Sequence, residues 1–68
     1  MEQIYKVKDP TIDLTKGLLI EVEDEFGFHL GLYELQTQIS KHICLWDIDK
    51  EEYIYKHPNN IKKLTIIF

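Results

Sequence analysis

The side chains in this chain best placed to do chemistry are two short polar groups far apart in sequence. Lys56-His57 stands directly before Pro58-Asn59-Asn60, and Gln38, Lys41 and His42 lie close together upstream. Together they offer two cations, two imidazoles and several amides. Such a set can hold a phosphate or read the edge of an unstacked base. It is poorly suited to making and breaking bonds. Ser40 is the only serine and Cys44 the only cysteine, and no nucleophile–base–acid grouping recurs. Three scattered histidines and one cysteine show no metal-ligand spacing, so neither a metal nor another cofactor is expected. The chain reads as a non-enzyme.

Each of these residues also has an ordinary structural use. His57 before Pro58 suits a strand end hydrogen-bonded to the following turn, and His42 and His29 suit surface or half-buried positions. Trp46 fits a core or a subunit interface, because a large amphipathic ring in a small domain rarely stays free. Tyr33, Tyr53 and Tyr55 can stack on bases, though cross-strand packing is the commoner use. Cys44, between Ile43 and Leu45, reads as a small buried hydrophobe.

The elements that must position these groups are mostly strands. Ile4 to Lys8 is a short strand candidate. Asp9-Pro10 at one end and Gly17 at the other punctuate a helix of one or two turns over residues 9–17. From Leu18 the pattern turns to period two: Leu18, Ile20 and Val22 oppose Glu21 and Glu23. Residues 24–27 form a turn on Gly27, and a second strand runs from Phe28 to about Gln36. Gly31 inside it signals a bend, a bulge or a close backbone approach. The third strand, Lys41 to Ile48, is apolar on both faces, which implies a central position or a second face covered by the helix or a partner. Tyr53 to His57 is a fourth strand and Ile61 to Phe68 a fifth, separated by the breaker Pro58-Asn59-Asn60. The predicted fold is one mainly β domain over residues 1–68: a five-stranded small barrel, Sm-like or SH3-like, with a short N-terminal helix.

If that meander alternates its turns between two ends, the charges segregate. One end receives Glu23, Asp24, Glu25, Asp47, Asp49, Glu51 and Glu52 against Lys50 alone. The other receives Gln36, Gln38, Lys41, His42, Lys56, His57, Asn59, Asn60, Lys62 and Lys63. Charge runs also simply solvate turns.

Composition bounds these readings. There is no Ala and no Arg, while Ile occurs ten times and Leu eight, a profile that favours strands over helix. A net charge of −4 argues against a general polyanion binder. Sixty-eight residues support one small core of marginal stability. With no second cysteine and no metal spacing, self-association is the expected support. A lone cysteine and the lack of a signal or membrane-spanning pattern fit the cytoplasm.

Residues 18–67 are similar to the Sm-like family, which includes the Hfq-type RNA chaperones. The run Tyr53-Ile54-Tyr55-Lys56-His57 resembles the Hfq signature, a strand ending in Tyr-Lys-His before a tight turn. Asn59-Asn60-Ile61-Lys62-Lys63-Leu64 resembles the second Sm motif, and Ile20-x-Val22 with Gly27 the first. Gly27 and Gly31 stand one residue closer than the family spaces them. Gln38 and His42 lie near the first motif's Asp and Asn, and Pro58 stands where Hfq has Ala. The resemblance implies a homo-oligomeric ring pairing the fourth strand of one subunit with the fifth of the next. It further implies single-stranded, uracil-rich RNA or a nucleotide held by Lys56, His57, His42, Lys41, Gln38, Asn59 and Asn60. A different reading follows from charge alone: an acidic protein-binding barrel of phage or mobile-element type that occupies a partner's basic site. A third leaves the apolar tail as an assembly interface only.

Overall fold

The computed structural model describes residues 2–5, 12 and 14–68, and of Tyr5 only the backbone. The chain is mainly β. Its strands are β1 (Glu2–Tyr5), β2 (Leu19–Asp24), β3 (Gly27–Gln36), β4 (Ile43–Asp47), β5 (Glu52–Lys56) and β6 (Lys63–Ile67), with one 3-10 turn at Pro58–Asn60. All six join one antiparallel sheet in the order β1-β6-β2-β3-β4-β5. The expected count of five rises by one because the leading candidate pairs with β6, Gln3 opposite Ile66 and Ile4 opposite Thr65. The sheet is not closed by hydrogen bonds: β1 and β5 are its two edges.

The expected helix over 9–17 lies largely on residues outside those described. Ile12, Leu14 and Thr15 are not helical, and Lys16-Gly17 is a turn. The Leu18 N–H donates to the Thr15 carbonyl at 3.2 Å, and Gly17 takes φ +94°, the left-handed third position that such a turn gives to glycine. Ile12 is nonetheless buried, with its N–H donated to Gln36 Oε1 at 2.9 Å. The segment before β2 therefore covers the core without being a helix where it is described.

Curvature organises the rest. The ten-residue β3 is the longest strand described, and its pairing is interrupted. Its register against β4 shifts between Tyr33 and Leu35, which places Glu34 in a bulge. Gly31 permits the bend's close packing: a Cβ there would collide with the Trp46 carbonyl oxygen and stand 2.7 Å from Leu45 Cδ1. The concave face gathers Ile20, Val22, Tyr33, Ile43, Leu45, Leu64 and Ile66, joined by Ile12 and flanked by Leu14, Leu18, Ile54 and Ile61. Period-two alternation on β2 appears directly as buried Ile20, Val22 and Asp24.

Candidate functional site

Bending brings strands together that are not neighbours in the sheet. β2 and β5 are separated by β3 and β4, which in a flat sheet would hold them about 14 Å apart. Lys56 Nζ nevertheless lies 2.7 Å from Asp24 Oδ2. The same carboxylate oxygen is 3.2 Å from His29 Nε2, and Asp24 Oδ1 accepts the Phe26 N–H at 2.8 Å. His29 Nδ1 faces Asp47 Oδ2 at 3.9 Å, while Asp47 Oδ1 accepts the Lys50 N–H. Both aspartate side chains are only 4% exposed. Hydrogen bonding to Lys56 holds the Asp24 carboxyl down at about 2, against the opposing effect of burial. These contacts tie both acidic hairpin turns to the end of β5.

The expected segregation of charge is corrected here. Asp24 and Glu25 do not sit at the end opposite Lys56 and His57; they line one cleft with them, of about 270 Å³. The two-ended meander placed the last strand next to its predecessor, whereas β6 pairs with β2, Lys63 opposite Glu23. The Lys62 N–H donates to the Glu23 carbonyl at 2.8 Å, which brings the connection after β5 to the Asp24–Gly27 hairpin. Phe26, His42, Tyr55 and Asn60 complete the walls. The Lys56 ammonium stands 5.8 Å from the centre of the Phe26 ring.

Of the residues expected to form a site, His42 and His57 do converge. Their rings lie 5.2 Å apart at 80°, edge to face. His57 also caps the 3-10 turn, its Nδ1 accepting the Asn59 N–H at 3.1 Å. The neutral ring thus carries its proton on Nε2, leaving one donor for other work. Lys56 is present but already paired. Lys41 adopts φ +62°, and its carbonyl accepts from Gln36 Nε2, so it serves the 37–42 turn. Gln38 and Asn59 are exposed and do not line the cleft. Tyr55 was weighed as a residue that can stack on bases, while Asp24, Glu25 and Phe26 were not anticipated in the cleft. Only the Asp24-to-Gly27 turn was visible locally, and nothing in it pointed to Lys56.

A second surface lies on the convex side of the sheet. The ladder places Ile67 opposite Leu19, Leu19 opposite Leu32, Leu32 opposite Trp46 and Trp46 opposite Tyr53. Directly opposed residues share a face, so one apolar row crosses five strands on the convex side. Leu35, Cys44 and Tyr55 form a shorter row beside it. Trp46 and Tyr53 pack edge to face with centroids 4.8 Å apart. Tyr53 is 54% exposed and Tyr55 59%. Hydrogen bonding with the Cys44 side chain raises the Tyr55 hydroxyl above the usual tyrosine range. The adjoining β4–β5 turn exposes Asp49, Glu51 and Glu52.

No family model, curated protein or solved structure matches the chain. The two surfaces are therefore weighed on their own chemistry. Among the described residues, no group of three or more His, Cys, Asp or Glu side chains is placed to hold a metal ion. Nor is any helix among them long and apolar enough to cross a membrane.

Proposed function

We propose that this chain is a binding module, a curled small barrel that docks on a protein partner through the convex face of β3, β4 and β5. The observation that carries this reading is the apolar row ending in Trp46 and exposed Tyr53, set against the exposed carboxylates of Asp49, Glu51 and Glu52. A contiguous apolar patch left open on a small domain marks an interaction surface. Aromatic anchors beside acidic residues favour a basic partner, including a protein whose own nucleic-acid site would then be blocked. The barrel reading itself is supported by the Asp24–Lys56 contact across the sheet. The test is a pull-down with Trp46→Ala and with Glu51→Gln/Glu52→Gln. The same partner must be lost with both variants, and nucleic acid must compete for it. A partner indifferent to both changes sinks the reading.

One observation favours a second reading, the RNA or nucleotide site that the Sm-like resemblance implies. His42 and His57 converge, with Tyr55, Phe26 and Asn60 around them, and such a cleft suits stacking and hydrogen bonding of one base. Two features weigh against it. Lys56 is neutralised by Asp24, and β1 lies along the β6 edge that a ring of the Sm kind would need. Titration of oligo-uridine at low salt, with His57→Ala as control, decides it. Saturable binding lost in the variant would move the function to the cleft.

A further inference from the structure

The outer edge of β5 is an open strand, since no other strand among the described residues pairs with it. Natural sheets guard such edges with lysines, prolines or bulges. β5 has none of these in free form. Its single lysine is bonded to Asp24, its alternate positions Tyr53 and Tyr55 are exposed, and its five residues continue the β4 register without a break.

The order of those five residues is informative. Glu52-Tyr53-Ile54-Tyr55-Lys56 reads as its own complement when reversed. Laid antiparallel against a second copy and centred on Ile54, the strand places Glu52 opposite the other copy's Lys56. Tyr53 then faces Tyr55, and Ile54 faces itself. Opposite charges and aromatic pairs are the cross-strand partners that stabilise antiparallel ladders. Shifting the centre to Tyr53 or Tyr55 loses both charge pairs. An ammonium carries three donors, and Lys56 uses one on Asp24, so a second carboxylate can be accommodated.

We infer that two copies of this chain associate through β5, edge to edge about a two-fold axis at Ile54, forming one continuous twelve-stranded sheet. This inference does not depend on the partner reading above. The symmetry is isologous, so assembly stops at two, unlike a head-to-tail ring. It also runs the Trp46–Tyr53 row of one copy toward that of the other and doubles the convex apolar face. A contact of two short strands falls at the small end of interface sizes, so a dissociation constant in the micromolar range or weaker is expected.

The experiment is sedimentation velocity over a range of protein concentration, on wild type, Glu52→Lys and Tyr53→Glu. Wild type should pass from monomer to dimer as concentration rises. Glu52→Lys replaces two attractive pairs with two repulsive ones and should weaken the dimer about tenfold. Because Glu52 is exposed at the edge, its urea midpoint should hardly move. Tyr53→Glu should abolish the dimer. Hydrogen exchange of the β5 amides should slow in the concentrated wild type. A monomer at every concentration overturns the inference. So does a ring larger than two, or a dimer that ignores Glu52→Lys.

Discussion

β4 carries apolar side chains on both faces, and the two faces meet different fates. Ile43 and Leu45 turn inward and are fully buried against Ile20, Val22 and Leu64. Cys44 and Trp46 lie on the other face beside Tyr53, Tyr55, Leu32 and Leu35; Cys44 is buried and Trp46 half-buried, while those four neighbours stay exposed. The residue types are alike, but only the inward set belongs to the main core cluster. On so small a domain a second apolar face adds little to stability and a good deal to the hazard of aggregation. It is the face that the proposed partner would cover.

That contrast can be broken most forcefully from the inside. Leu45→Ala removes a fully buried side chain from the centre of the core and should cost about 2–5 kcal/mol in urea denaturation, enough to leave much of the protein unfolded. A cost under about 1 kcal/mol would mean that the concave face is not the core.

The link between the two hairpin turns and β5 comes next. Lys56→Met leaves the Asp24 carboxylate buried with only His29 and the Phe26 N–H beside it, and should cost about 1.5–3 kcal/mol. Its pH dependence has a definite sign. The Asp24 carboxyl is held at about 2, below its usual 3.8, so its contribution is complete above the usual value and is lost as pH falls through about 2. In Lys56→Met the loss should begin at higher pH, because the largest lowering influence is gone. Urea midpoints at stepped acid pH would show this, and identical profiles for the two proteins would refute it.

Smaller effects sharpen the outer half of the comparison. Tyr53→Ala forfeits one edge-to-face contact with Trp46 and should cost about 0.5–1.5 kcal/mol, while its effect on the proposed partner binding should be far larger. Equal losses in folding and binding would mean that the convex face is structural. Smallest of all, His57→Ala removes the acceptor for the Asn59 N–H at an exposed site, a change of about 0.5 kcal/mol in thermal or urea unfolding. A much larger loss would give the cleft a structural role beyond capping its turn.

How much of this the sequence disclosed depended on whether the cause was local. The strands were legible because alternation such as Leu18, Ile20, Val22 against Glu21, Glu23 is a property of neighbours. Gly31 announced a close approach because a missing side chain in a strand has few other uses. The cap at His57 was visible in its position before Pro58. The two-sided character of β4 was plain, and it was read as a central position or a second face covered by the helix or a partner; the structure makes β4 a central strand, between β3 and β5. What failed was everything that curvature decides. Asp24 read as a solvent-facing turn residue, whereas the curl of the sheet and the pairing of β6 with β2 bring it to Lys56. The supposed basic rim consequently contains two carboxylates. Gln38 and Asn59 share that rim in sequence but not in space. The convergence of His42 and His57 likewise required the β4–β5 pairing of Ile43 with Lys56, a register that no local pattern gives.

The place of β6 has a consequence for how the molecule is made. Among the described strands β6 is the last in sequence, yet it lies between β1 and β2, the first two. While residues 63–67 are still within the ribosome, the β2–β5 meander can form its local hairpins, but β1 has nothing to pair with and one flank of β2 stays bare. Closure must join segments some sixty positions apart, as Gln3 with Ile66, a slow long-range step that waits until residues 63–67 have emerged. A nascent chain stalled short of β6 would expose the inward faces of Ile20 and Val22 and be a natural client for chaperones.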